Sequence, residues 1–178
     1  MAIACDSCVS PVYEQFTEAF YEWKKEPYFT TLIERKKLNE ALGLLAREAI
    51  DKEKSRFGIQ RDFALKVMRE DLFKLATEKL HWLVHTYNDA EIGKPVYAFF
   101  HPTFQEYFAA CAIDDWHFFL NHICQNPQDT KASYRIFAPY WKEVITLWLG
   151  REVDQEFRKQ KEAFIDALVE FQDRRRFL

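Results

Sequence analysis

Apolar residues recur at helical spacing along most of the chain. From Tyr13 to Lys25 they fall at Phe16, Ala19, Phe20 and Trp23, and Pro27 just beyond supplies a stop, which predicts an amphipathic helix. Glu34 to Ile50 predicts a second, with Leu38, Leu42, Leu45, Ala46 and Ala49 on one face and Gly43 as either a close-packing point or a small local weakness. After a break at Ser55 to Gly58, Gln60 to Val67 reads as a short helix that aims Phe63 and Val67 inward. Glu70 to His85 then places Leu72, Phe73, Leu75, Ala76, Leu80, Leu83 and Val84 on a broad apolar face, ahead of a polar loop at Asn88 to Gly93. The run from Pro95 to Phe100 breaks this pattern. It is short, β-branched and aromatic, bounded by Gly93 and Pro102, and predicts a strand. Phe104, Tyr107, Phe108 and Cys111 return to the i, i+3, i+4, i+7 pattern of a helix. Asp115 to Cys124, Tyr140 to Leu149 and Glu152 to Phe171 add further helices, separated by the turn at Asn126-Pro127 and by Gly150.

Three helices followed by a strand is the order of a winged helix. Only one strand is clear, which leaves the wing reduced or partly supplied by the loop before Gly93. The expected architecture is mainly α, in three parts: an N-terminal helix over 1–33, a winged-helix domain with a short β wing over 34–114, and a small helical domain over 115–178. The boundary near Asp114 rests on element order alone. Composition agrees with helices joined by short connections, because 17 Phe, 8 Tyr and 5 Trp stand against only 4 Gly and 6 Pro. A formal charge of −3 gives no broad attraction for nucleic acid or anionic membrane. No apolar run approaches the roughly 20 residues of a membrane span, and the N-terminus lacks the order of a signal peptide. These features describe a cytoplasmic chain.

The segment from Tyr97 to Ala110 carries the densest chemistry. Thr103 and Glu106 have the T-x-x-E spacing of a capping box, and Pro102 suits a helix start. Whichever residue is the cap, His101 lies at a helix N-terminus, where the helix dipole favours an anion and an imidazole can donate to a phosphate. The alternative is a histidine that only caps the helix or packs beside Phe99, Phe100 and Phe104. No phosphate loop is present: G-x-x-x-x-G-K-[ST] is needed, and Gly93-Lys94 is followed by Pro95 with no glycine at the required position before it. The chain is therefore not expected to be an enzyme.

Other groupings offer less. Cys5 and Cys8 form a C-x-x-C without a second pair, and Cys111 and Cys124 complete no disulfide framework. His81 and His85 sit one turn apart on the expected third helix, but they lack the glutamate of H-E-x-x-H and any third ligand. No metal site is expected. Arg35, Lys36 and Lys37, and Arg174 to Arg176, read as solvated faces.

The run Phe99-Phe100-His101-Pro102-Thr103-Phe104-Gln105-Glu106-Tyr107-Phe108-Ala109-Ala110 resembles the F-x-H-x-x-F-Q-E-[FY]-[FL]-A-A segment in the winged-helix domain of NACHT-type STAND ATPases, above all bacterial ones. With gaps the resemblance extends from about Tyr13 to Phe171. It includes Leu38-Asn-Glu-Ala-Leu-Gly-Leu-Leu-Ala46 and Trp141-Lys-Glu-Val-Ile-Thr-Leu-Trp-Leu-Gly150. It implies that His101 contacts the β-phosphate of ADP and helps hold a closed resting state, from which exchange for ATP permits oligomer assembly, often in bacterial defence. It also implies a P-loop NACHT core, in cis or in trans, as the partner that holds ADP or ATP. The isolated chain then has no cofactor of its own. Two further readings remain open. One is a winged-helix nucleic-acid module, although Arg69, Lys74 and Lys79 are interspersed with Glu70, Asp71 and Glu78 on the candidate recognition helix. The other is a free-standing adaptor that engages partners through an aromatic surface.

Overall fold

The computed structural model describes residues 9–25, 30–53, 58–90, 93–121, 134–151 and 154–175. The first helix, α1, spans Val9–Trp23. Its buried face differs from the expected one: Thr17, Phe20 and Tyr21 are buried, whereas Phe16, Ala19 and Trp23 are exposed. The inward stripe runs through Tyr13, Thr17, Phe20 and Tyr21, so the larger aromatics on the neighbouring stripe are left at the surface. The second helix, α2, spans Leu32–Glu53 and starts at a true capping box. The backbone N–H and hydroxyl of Thr31 both donate to the Glu34 carboxylate at 2.8 Å, and Thr31 Oγ1 accepts the Glu34 N–H at 3.2 Å. These bonds hold the Glu34 carboxyl below the ordinary carboxylate range.

Leu38, Leu42, Leu45, Ala46 and Ala49 of α2 are all fully buried, as their spacing predicts. They pack against the central helix α5, Pro102–Cys111. Gly43 is the point of closest approach, where an added Cβ would lie 2.9 Å from the Phe108 carbonyl oxygen and 3.0 Å from Ala112 Cβ. One methyl group is enough to separate these two backbones.

Between α2 and α5 the chain builds the wing. Strand β1 (Ile59–Gln60) leads into the short α3 (Arg61–Val67), then α4 (Glu70–Lys74), strand β2 (Leu83–Asn88) and strand β3 (Pro95–Phe99). The strands form an antiparallel sheet in the order β1-β3-β2. A mainly helical fold with a short β wing is therefore what the sequence builds, and the wing is fuller than the single strand its pattern revealed. The turn Asn88 to Gly93 closes through Asp89 N–H to Lys94 O and Gly93 N–H to Asp89 O, both 2.8 Å, with Gly93 at φ +64°. A bulge at Thr86 interrupts the β2–β3 register, and its hydroxyl donates to Val96 O at 3.0 Å.

The expected helix over Glu70 to His85 is too long. After Lys74 it widens into a π turn at Leu75–Lys79, closed by Leu80 N–H to Leu75 O, and His81 then reverses the chain at φ +59°. Leu83 and Val84 therefore belong to β2 and not to a helical face. The reversal also drives Trp82 fully into the core, within 4.2 Å of Phe20 and 5.1 Å of Phe108 by ring centroids. Helical periodicity gives no warning of that, because the apolar run passes from one secondary structure to another without a polar gap.

Beyond α5, the expected helix from Asp115 is a single 3₁₀ turn over Trp116–Phe118 in its described part, capped by Asp115 accepting the His117 N–H at 2.9 Å. Two more 3₁₀ turns, Arg135–Phe137 and Pro139–Trp141, lead into α6 (Lys142–Gly150) and then α7 (Gln155–Arg175). Trp141, Trp148, Phe119 and Phe164 fill this end of a hydrophobic cluster that extends from Phe20 to Phe164. The side chain of Arg135 ties it back to α2, bonding Asp51 through two nitrogens at 2.6 and 2.8 Å and lying 4.1 Å over the Phe118 ring. No helix among the described residues is long and apolar enough to cross a membrane.

Gly43→Ala is expected to lower stability by about 1–3 kcal/mol in chemical denaturation, because overpacking against backbone outweighs the better helix propensity of alanine. Stability from the Glu34 carboxylate is present above the unfolded carboxylate pKa and lost as pH falls through its lowered folded value. Glu34→Gln should therefore flatten the acid side of the stability–pH curve, measured by urea midpoints between neutral and acidic pH.

Candidate functional site

His101 is the N-cap of α5, at φ −144° and ψ 137°, immediately after the end of β3 and Phe100. Its Nδ1 accepts the Thr103 backbone N–H at 3.4 Å and lies 2.8 Å from the Thr103 hydroxyl. A nitrogen that accepts from the backbone carries no proton, so the neutral ring bears its hydrogen on Nε2. Nε2–H has no protein partner among the described residues, and the side chain is exposed. The imidazole thus caps the helix with one nitrogen and offers an outward donor with the other. The two roles weighed for His101 are compatible in one geometry.

The cap arrangement differs from the expected capping box. Thr103 sits inside the helix and supplies a hydroxyl to the imidazole, while Glu106 is buried one turn further on. The T-x-x-E spacing at 103–106 does not mark a helix start here, whereas the same spacing at Thr31 to Glu34 does. The α5 N-terminus is also poor in free donors. Pro102 has no N–H, the Thr103 N–H is taken by the imidazole, and the Phe104 N–H bonds the His101 carbonyl at 3.1 Å. An anion at this end of α5 would meet Nε2–H and the helix dipole, not a cradle of amides.

Beside His101 lies an aromatic shelf. Phe100 stacks on Phe16 at 6.3 Å and contacts Phe104 at 4.8 Å, while Phe16 contacts Phe104 at 4.9 Å. Phe16 is 44% exposed and Phe100 36%, and Val12 at 62% and Trp23 at 73% continue the exposed face along α1. Below the shelf, Gln105 is buried and neither atom of its amide is hydrogen-bonded among the described residues. A buried amide without partners costs about 1–3 kcal/mol, which the packing around Gln105 must offset.

At its other end α5 is held by Arg151, which donates to the carbonyls of Ala110 and Ile113, both at 2.9 Å, and lies 4.4 Å over the Phe157 ring. Trp148 Nε1–H also donates to Ile113 O at 2.8 Å. A cation at a helix C-terminus complements the dipole, and these contacts fix the helix that carries His101. The sequence pattern held no signal for Arg151, because its partners are carbonyls some 40 residues earlier.

The remaining candidates are dispersed. His81 and His85 are not one helical turn apart, since a chain reversal and a strand start separate them. His81 Nδ1 bonds Thr77 O at 2.6 Å and His85 Nε2 bonds Asn88 Oδ1 at 3.0 Å. No group of three metal-ligating side chains occurs among the described residues. Cys5, Cys8 and Cys124 lie outside the described residues. Burial pushes the half-buried Cys111 thiol above its ordinary value, which suits packing and not nucleophilic chemistry. Arg35 is not a solvated cation, because it bonds Glu22 at 3.0 Å and lies 5.1 Å over Tyr21. On the candidate recognition surface Arg69 pairs with Asp71 and Lys74 with Glu70, both at 3.1 Å. No family model matches the chain, and no similar curated protein or solved structure is found.

His101→Ala should cost about 0.5–2 kcal/mol of stability through loss of the cap, and His101→Asn should restore most of it, as read by thermal or urea denaturation. Equal losses in the two variants would show that the ring's packing matters and its capping bond does not.

Proposed function

We propose that the chain is a non-catalytic regulatory module of a NACHT-type signalling ATPase, acting in bacterial defence in the cytoplasm, in which His101 contacts the nucleotide phosphate when a P-loop core is present in cis or in trans. The observation that carries this reading is the division of labour within one imidazole. Nδ1 is committed to the cap, and Nε2–H faces outward at the positive end of α5. The resemblance of the Phe99 to Ala110 run supports it, and so does the winged-helix order of the elements around that run. Val12, Phe16, Phe100 and Trp23 form the apolar face on which the core would pack, with His101 at its edge. Nucleotide hydrolysis is assigned to the core, which supplies the phosphate loop and Mg²⁺ site that this sequence lacks.

A second reading draws on the same exposed face. As a free-standing adaptor the chain would bind copies of itself or full-length relatives through these aromatics, with no role for His101. A nucleic-acid module is less well supported, because Arg69 and Lys74, two of the three basic residues of the candidate recognition surface, are already paired with carboxylates beside them.

ADP titration by calorimetry, on the chain alone and on the chain combined with a P-loop NACHT core, separates these readings. The expected outcome is no measurable binding by the chain alone. With the core, ADP binding should weaken about tenfold in His101→Ala, the loss of one hydrogen bond to a charged group. Tight ADP binding by the chain alone, or equal affinity with and without the imidazole, would refute the reading.

A further inference from the structure

A second feature lies away from His101, on the wing. A cleft of about 250 Å³ opens between the π turn and the face of β2 and β3. Phe73 and Tyr97 form its aromatic floor, edge to face at 5.1 Å. The Arg61 side chain, at the start of α3, lines the cleft and lies 5.9 Å over the Phe73 ring, with no carboxylate partner among the described residues. The carboxylate beside it in sequence, Asp62, is taken by Lys94. Glu78, carried into the cleft wall by the π turn, likewise has no cationic partner among the described residues. Two opposite charges thus line one cleft, and neither forms a salt bridge among the described residues.

The other polar lining groups already have partners. Lys74 is paired with Glu70. His85 Nε2 lies 3.0 Å from Asn88 Oδ1. The Thr77 hydroxyl donates to Phe73 O and retains its lone pairs. Thr77 and Glu78 on the π turn thus supply oxygen acceptors to the same cleft that Arg61 lines with a donor fork. An anion alone would leave Glu78 facing it, and a polyanion such as nucleic acid would meet Glu70 and Asp71 as well. The π turn and the left-handed His81 that ends it are a costly way to shape a wall, of the kind found at functional sites.

We propose that this cleft binds a small zwitterion with an apolar body, of the free amino-acid class. Its carboxylate pairs with Arg61, its ammonium with Glu78, and its side chain lies on Phe73 and Tyr97. The volume sits just below the roughly 300–1,000 Å³ of drug-sized pockets, which admits one such molecule. This assignment is independent of the role of His101, and it makes the wing a sensing surface.

Titration of the ¹⁵N-labelled full chain with L-phenylalanine tests it. The expected result is saturable shifts at Thr77, Glu78, His85 and Tyr97 in the millimolar range, with Arg61→Gln and Glu78→Gln each weakening binding about tenfold. Glu78 is exposed and Arg61 half-buried, and unchanged amide dispersion checks that the variants fold. 3-Phenylpropionate lacks the ammonium and phenethylamine lacks the carboxylate, and each should bind about tenfold more weakly than phenylalanine. The proposal is overturned if the shifts do not saturate or fall elsewhere, or if either half-ligand matches phenylalanine. Unaltered affinity in both variants, or salt-sensitive shifts of the same residues by duplex DNA, would also overturn it.

Discussion

The fold depends on how closely α2 and α5 approach each other at Gly43. With no side chain there, the Phe108 carbonyl comes to a distance that any other residue would forbid. Ala46 and Ala49 on α2, and Ala109 on α5, are fully buried, so small residues cluster in the helices that meet here. The large aromatics are displaced to the flanks. Phe20, Trp82 and Phe108 gather on one side, and Phe119, Trp141, Trp148 and Phe164 on the other. A thin central seam with thick aromatic flanks makes α5 the axis of the molecule. His101 holds one end of that axis and Arg151 the other.

How much of this was legible depended on whether each element kept one period from start to finish. In α2 the apolar spacing is continuous and its inward residues match the pattern, whereas α5 is a helix where expected but is buried from Phe104 to Ala110, Gln105 and Glu106 included, with Cys111 only half-buried. The stretch from Glu70 to Asn88 holds helix, π turn, reversal and strand in succession, with apolar residues in all four. A periodicity reading merges them, and so Trp82 and β2 were not visible. On α1 the pattern was correct and its orientation was not, because the most hydrophobic face is not the one the core accepts. The placement of His101 at a helix start could be read from Pro102. The identity of its partner could not, because Thr103 and Glu106 suggested a different cap.

Long-range polar ties escaped the sequence for a different reason. Arg135 reaches Asp51 across 84 positions, and Arg151 reaches the carbonyls at the end of α5, which belong to the backbone and leave no mark in residue type. In both, a guanidinium also lies over a phenylalanine ring, so each arginine joins a polar tie to an apolar one. These residues set the position of the C-terminal helices relative to α5.

The bonding of His101 has a chemical consequence beyond its place in the fold. A neutral imidazole normally chooses between two tautomers and can present either a lone pair or a hydrogen to whatever approaches. Here the Thr103 N–H that points at Nδ1 biases that choice toward a hydrogen on Nε2. While Nδ1 accepts the Thr103 N–H, the outward edge shows a hydrogen, and it favours oxygen acceptors over hydrogen-bond donors. The cap of a helix has become a filter for the polarity of its visitors.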